Sequence, residues 1–263
     1  MWRTKENLQG KERGKTKMKK KLVVLLLAAT MSLSVVACGG EKKSDTNAEN
    51  ISKNESISNA SKKEVAEKKE PMPIVLTESG YTIKEDGFGN VYVNYAATVN
   101  NPNKDLAGTF PKIIATAKGG DGTIVGTQEQ TLFNIAPEDT LSFGNLIDCN
   151  GVKPESVEIS VECHDFIPGD SDGVVNSSVF SVSNTSELPG QYGDVSYTGE
   201  VENTGQEDAT SVALTLILKN NGNIVYGATT FTDNIPAGSK KAFEFSEYDI
   251  PEHTEFIISA QAW

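Results

Sequence analysis

Two stretches of this 263-residue chain repeat one another at a spacing near 100 residues, which limits the folds open to it more than any other feature. Tyr95-Ala-Ala-Thr-Val99-Asn-Asn-Pro corresponds to Tyr197-Thr-Gly-Glu-Val201-Glu-Asn-Thr-Gly205. Gly122-Thr-Ile-Val125-Gly126 corresponds to Gly222-Asn-Ile-Val225-Tyr-Gly227, and Asn134-Ile-Ala-Pro137 to Asn234-Ile-Pro-Ala-Gly238, with Phe143 falling where Phe243 does. An offset held over so many segments implies two tandem copies of one domain.

Each copy reads as strands. Val91, Val93, Tyr95, Ala97 and Val99 alternate with other residues, as do Val195, Tyr197, Gly199 and Val201, and again Val212, Leu214, Leu216 and Leu218. Period-two patterning in short runs is the signature of half-buried strands. The runs stop at turn residues, among them Asn101-Pro-Asn, Gly119-Gly-Asp-Gly122, Asn203-Thr-Gly205 and Pro236-Ala-Gly238. Asn221-Gly222 between two apolar runs predicts a tight hairpin, because this pair tolerates the positive φ of a type I′ turn. No sustained helical period follows residue 72. About seven short strands per copy predict an all-β fold of two tandem immunoglobulin-like β-sandwiches, over residues 73–168 and 177–263.

The second copy, from Val195 to Phe245, resembles an FxLYD-type domain, a small β-sandwich module of bacterial cell-surface proteins. The resemblance rests on an aromatic-x-Gly-x-Val-x-Asn-x-Gly segment (Tyr197 to Gly205), an alternating strand leading to Gly222-Asn-Ile-Val225, and Ile235-Pro-Ala-Gly238 before an aromatic strand. It departs at the name-giving motif, where Leu216-Ile-Leu-Lys-Asn220 stands, and the first copy has Ala115-Thr-Ala-Lys-Gly119. The resemblance implies a sandwich on the cell surface and carries no catalytic residue.

The first third of the chain differs in kind. Lys19-Lys-Lys21 precedes an apolar stretch from Leu22, and Val35-Val-Ala-Cys38 closes it. This resembles the signal peptide and lipobox of bacterial lipoproteins. It implies removal of residues 1–37 and attachment of diacylglyceryl to the Cys38 thiol, two acyl chains being enough for a stable membrane anchor. The apolar stretch, residues 22–37, is shorter than the roughly 20 residues a spanning helix needs. Residues 1–17 do not suit such a signal, and translation is expected to begin at Met18. Residues 38–72 then form a polar tether of near-balanced charge with no aromatic side chain, too poor in apolar surface to offset its ordering entropy. The expected location is the extracytoplasmic face of a cell membrane, on a Gram-positive surface.

Beyond the tether the chain carries eight lysines, no arginine and 27 acidic residues, a net charge of −19. Nucleic acid and other polyanions are excluded as partners on that ground, while cationic partners are permitted. His164 and His253 are the only histidines, and Cys163 beside His164 would point to the opposite face of a strand, so no cofactor or metal site is expected. Asp170-Ser-Asp172-Gly173 begins like a calcium loop but lacks the ligands that should follow, and reads as a solvated linker. Export permits a disulfide between Cys149 and Cys163, although a meander places them poorly for direct opposition. Trp263, Tyr226 and Tyr248 could mark a ligand face or pack in a core. These features predict a non-catalytic binding module for a protein, peptide or cell-wall partner. The alternative is a spacer or accessory subunit of an envelope complex; a hydrolase has no supporting residues.

Overall fold

The computed structural model describes residues 70–263; the expected export signal, Cys38 and most of the tether lie outside them. The first copy contains β1 (Val75–Glu85), β2 (Val91–Asn100), β3 (Leu106–Thr109), β4 (Lys112–Lys118), β5 (Ile124–Thr131), β6 (Asn134–Ile135), β7 (Thr140–Asp148), β8 (Ser156–Glu162) and β9 (Asp165–Pro168). The second contains β10 (Phe180–Pro189), β11 (Asp194–Asn203), β12 (Ala209–Asn220), β13 (Asn223–Ile235), β14 (Lys240–Tyr248) and β15 (Glu255–Ala262). Ser177–Val179 forms a single 3₁₀ turn between them, and no α-helix occurs among the described residues.

The fold is all-β and of sandwich type, and the repeat governs its topology. Sheet β1-β2-β7 in the first copy corresponds to β10-β11-β14 in the second, and β5-β4-β8 to β13-β12-β15. Each copy follows six strand paths rather than about seven. Three of these paths are broken in the first copy at one level, by Phe110-Pro111, Leu132-Phe133 and Cys163-His164, which separates a small sheet β6-β3-β9 from β5-β4-β8. Phe110 holds a positive φ of 51° and Pro111 has no amide hydrogen for the ladder, so the strand bends there. The second copy has neither feature, and β12 runs unbroken for 12 residues.

Each sandwich encloses its own core. Tyr95, Val99, Ile113, Ile135 and Phe143 lie in the first, with Tyr197, Val201, Leu214, Ile235 and Phe243 in the second. The predicted Asn221-Gly222 hairpin is present, with φ of 51° and 81° at the two residues. Cys149 and Cys163 are free and lie in different surroundings. Cys149 follows the end of β7 and is buried beside Val91, whereas Cys163 lies in the break between β8 and β9, directed at the carbonyls of Asp165 (3.5 Å) and Thr109 (3.7 Å).

The two sandwiches are packed face to face. β2 and β12 are buried on both sides, the mark of a strand with a core on one face and a second layer on the other. The cause is a row of small residues. Gly80, Ala96 and Gly144 are register partners across β1, β2 and β7, so together they cut a shallow channel at right angles to the strands. β13 lies in that channel and crosses all three strands. A Cβ on Gly80 would stand 2.2 Å from the Ile224 carbonyl oxygen, and one on Gly144 would stand 2.4 Å from the Gly227 carbonyl carbon. Backbone approach this close is what glycine within a strand allows.

Polar groups complete the seam. The Thr82 hydroxyl donates to the Val225 carbonyl (2.6 Å) and Thr215 to the Ser142 carbonyl (2.9 Å), while the Gly144 amide donates to the Thr229 hydroxyl (3.1 Å). The free edge of β7 is thereby satisfied by side chains of the second copy rather than left as a template for pairing. Lys219 and Glu78 form an ion pair at 2.7 Å across the same seam.

Candidate binding cleft at the seam

Where the channel opens between β7 and β14, the sandwiches leave a cleft with two lobes, of about 380 and 200 Å³. Asn94, Leu146 and Tyr226 line both lobes and so form the ridge between them. Strand alternation puts Asn94 and Ala96 on the same outward face of β2, with Tyr95 pointing into the core. Ala96 is covered by β13, whereas Asn94, one step nearer the hairpin, meets the cleft. Asn94 is only 7% exposed, yet its carboxamide has no hydrogen-bond partner among the described residues. That carboxamide meets solvent in the cleft, and so presents a donor and an acceptor to whatever enters.

Across the cleft, the Tyr226 hydroxyl donates to a Glu247 carboxylate oxygen at 2.5 Å. The Lys84 ammonium stands 5.5 Å from the centre of the Tyr226 ring and 3.7 Å from Asp249. Burial pushes the Glu247 carboxyl above its usual value, against the opposing effects of Tyr226 and Lys84. Burial likewise lowers the Lys84 pKa, outweighing the opposing pull of Asp249. Glu85, Asp86 and Asp249 line the smaller lobe beside Lys84, so its wall is acidic. Asp86 is fixed by the β1–β2 hairpin: its carboxylate accepts from the Asn90 side-chain amide (2.6 Å) and from the backbone amides of Asn90 (2.8 Å) and Phe88 (2.9 Å), and these bonds hold its pKa below the ordinary value. The arrangement can hold a ligand by hydrogen bonds, aromatic contact and charge; it offers no nucleophile paired with a base.

A third cleft, of about 440 Å³, lies under the segment joining the copies, walled by Phe133, Val174, Val175, Val179 and Trp263. Its one buried amide, Asn203, is bonded to the Glu207 and Ile235 carbonyls, so no free carboxamide faces this cleft from a buried side chain.

The aromatic residues singled out from the sequence have three different fates. Trp263 stacks on Phe143 at 5.8 Å and packs against Phe231 at 5.0 Å. Tyr226 is buried at the seam, and Tyr248 is 64% exposed at the mouth of the smaller lobe. Phe88 and Tyr192, the most exposed aromatics, sit at the tips of corresponding hairpins and were not marked by the sequence. Asn94 was missed too, since one asparagine in an alternating strand looks like any polar position.

The histidines do separate things. His164 is exposed, and His253 is held among the Tyr197 hydroxyl (3.2 Å), a Glu187 carboxylate oxygen (3.3 Å) and the Pro251 carbonyl (3.1 Å). Asp170 and Asp172 are exposed in the joining segment, and no group of three or more His, Cys, Asp or Glu placed to hold a metal occurs among the described residues. That segment is pinned rather than loose, because Asp139 accepts from both the amide (2.8 Å) and the hydroxyl (2.6 Å) of Ser177.

Neither a family model nor a curated protein matches the chain. Among solved structures, the transglutaminase of red sea bream is similar at 12% identity and a TM-score of 0.22, over 72% of this chain and 29% of its own. The 7S globulin of Momordica charantia is similar at 6% identity and a TM-score of 0.16, over 68% of this chain and 81% of its own. This chain thus spans under a third of the transglutaminase's length, and likenesses this slight lend nothing to a reading of its function.

Proposed function

We propose that the protein is a lipid-anchored extracytoplasmic binding protein, cut before Cys38, which holds its paired sandwiches off the membrane and binds a protein, peptide or wall polymer without catalysis. The lipobox-like segment supports the anchor, and the net charge of −19 beyond the tether supports a partner that is not a polyanion. The observation that carries the binding role is a cleft that both sandwiches build, into which Asn94 presents a carboxamide with no partner among the described residues. Clefts at the junction of two domains are preferred places for ligands. The alternative role of rigid spacer draws on the glycine-lined seam, which fuses the sandwiches into one body.

Two measurements test the proposal. Mass spectrometry of membrane-extracted protein should give a mature chain beginning at diacylated Cys38, and a Cys38→Ala protein should stay unprocessed. A photo-crosslinking residue in place of Leu146 should capture one defined partner on intact cells, whereas the same residue in place of Glu158, on the outer sheet of the first sandwich, should not. Equal capture at both positions, or none at Leu146, removes the binding role and leaves the spacer.

A further inference from the structure

We infer that the seam cleft takes a basic peptide segment, with a lysine or arginine side chain lodged against the exposed ring of Tyr248 and the carboxylates of Asp86 and Asp249. This inference rests on the binding role and names its ligand class. Four observations on the cleft converge. Its smaller lobe is lined by Glu85, Asp86 and Asp249 beside Lys84; Glu85 pairs with Lys153 at 2.9 Å, while Asp249, 3.7 Å from Lys84, is 89% exposed at its side chain and open to a partner. Tyr248 presents a largely free aromatic face beside them, and a cation over a ring with a carboxylate close by is held by both attractions. The protein already uses that chemistry once, because the Lys84 ammonium lies over Tyr226 with Asp249 as its counter-charge.

The fourth is Asn94, which tells a peptide from a bare cation. Its unbonded carboxamide lies at the junction of the two lobes, so a cation seated by Tyr248 places the attached backbone within reach of one donor and one acceptor. A peptide unit supplies the complementary acceptor and donor. An anionic segment meets a like-charged wall and a like-charged whole.

The test is calorimetric titration of the full chain in neutral detergent micelles with an end-capped nonapeptide of alternating lysine and glycine. Parallel titrations use the same peptide with every lysine acetylated, a glutamate version, and a neutral N-acetylglucosamine hexasaccharide. The lysine peptide should bind, with the acetylated form at least about tenfold weaker, as loss of a cation–π contact and an ion pair implies. Asp249→Asn and Tyr248→Leu, both on exposed side chains, should each weaken the lysine peptide by about three- to tenfold. Asparagine tolerates the positive φ of 50° at position 249, so the fold is not at stake. A Glu158→Gln, Glu162→Gln double variant on the outer sheet should leave the affinity unchanged.

If that double variant weakens binding as much as Asp249→Asn, the attraction is diffuse and the assignment falls. If the acetylated peptide or the saccharide binds as tightly and responds to Asp249→Asn or Tyr248→Leu, the ligand class is wrong while the binding role stands. If no probe binds but the residue at position 146 still captures a partner on cells, again only the class is lost. Failure of both experiments removes the binding role with it.

Discussion

The two copies share a topology, yet they treat one sheet face in opposite ways. In the first copy the row across β1, β2 and β7 is Gly80, Ala96 and Gly144, and it is covered by β13. The corresponding row across β10, β11 and β14 is Ser186, Thr198 and Glu244, and it faces solvent. The edge strand of that row differs too: β7 is satisfied by Thr229 and Gln261 of the second copy, whereas β14 carries charged Lys240, Lys241 and Glu244. The same module therefore serves once as a dock and once as a cap. A polar, charged outer face on the last copy is what ends a stack of repeats and keeps it from recruiting another.

Exchanging one residue between the rows is the most forceful way to break this comparison. Gly144→Glu gives the first copy the residue of the second, and should destabilise the chain by about 3–5 kcal/mol, since the side chain must overlap Gly227 and bury an unpaired charge. The reciprocal Glu244→Gly, on an open face, should cost about 1 kcal/mol or less. Urea unfolding followed by circular dichroism measures both. A tolerated Gly144→Glu would mean that the sandwiches are not held together by the channel.

That channel also marks the limit of what the sequence discloses. The repeat, the Asn221-Gly222 turn and the alternation of Val212, Leu214, Leu216 and Leu218 are local patterns, and each maps onto a strand or turn. The opposite face of the same strand, Ala213, Thr215 and Ile217, is buried as well, so Val212 to Leu218 is a run apolar at every position but Thr215, and the doubly buried position of β12 could have been read from it. Gly80, Ala96 and Gly144 are another matter. They lie on three strands up to 64 residues apart and become neighbours only through strand register, which no single stretch of sequence states. Asn94 is legible only after β13 has been placed, because what makes it unusual is the lack of a partner. The breaks at Phe110-Pro111 went unread in the strand count because a proline at a strand edge and one inside a bend look alike without the partner strands.

A second contrast sits at paired asparagines. Asn101 donates to the carbonyls of Leu106 (2.8 Å), Ile135 (3.0 Å) and Ala136 (3.0 Å), and accepts from Asn103, itself bonded to Met72 at the entry of the chain. Asn203 does the same work with fewer bonds, to Glu207 (2.8 Å), Ile235 (2.9 Å) and the Gly205 amide (3.0 Å). Both residues look like ordinary turn asparagines, yet each ties two strands together through a buried amide. Asn101→Ala should cost about 2–4 kcal/mol and Asn203→Ala about 1–3 kcal/mol in urea unfolding, because buried carbonyls are left unpaired. Equal losses would show that the additional bonds of the first copy add nothing.

The buried tyrosines sharpen the comparison at lower energy. Tyr95 and Tyr197 occupy the same core position, but the Tyr95 hydroxyl has no partner among the described residues, and burial pushes its pKa to about 12. The Tyr197 hydroxyl lies 3.2 Å from Nε2 of His253, which is also 3.3 Å from a Glu187 carboxylate oxygen, while Nδ1 faces the Pro251 carbonyl. Tyr95→Phe should therefore be neutral or stabilise by up to about 1 kcal/mol, and Tyr197→Phe should destabilise by about 1 kcal/mol. Thermal unfolding midpoints of the two variants should move in opposite directions, and a parallel shift would remove the distinction.

The smallest effect concerns the contact between sheets at the seam end. Gly126 and Ile147 meet there in the first copy, and Tyr226 and Glu247 take the corresponding places in the second. An apolar contact has thus become a hydrogen-bonded carboxyl whose pKa burial raises above the ordinary 4.5. The folded state consequently holds that proton more tightly than the unfolded chain does. The stability this confers is present at low pH and is lost as pH rises through 4.5 and then through the higher folded value. Glu247→Gln keeps an acceptor for the Tyr226 hydroxyl and removes the titration. Its melting temperature should exceed that of the parent at neutral pH, and the gap should narrow as the pH is lowered toward 4.5. A gap that stays constant with pH would place the effect in packing, and the carboxyl at this position would then be no more than a polar replacement for the isoleucine of the first copy.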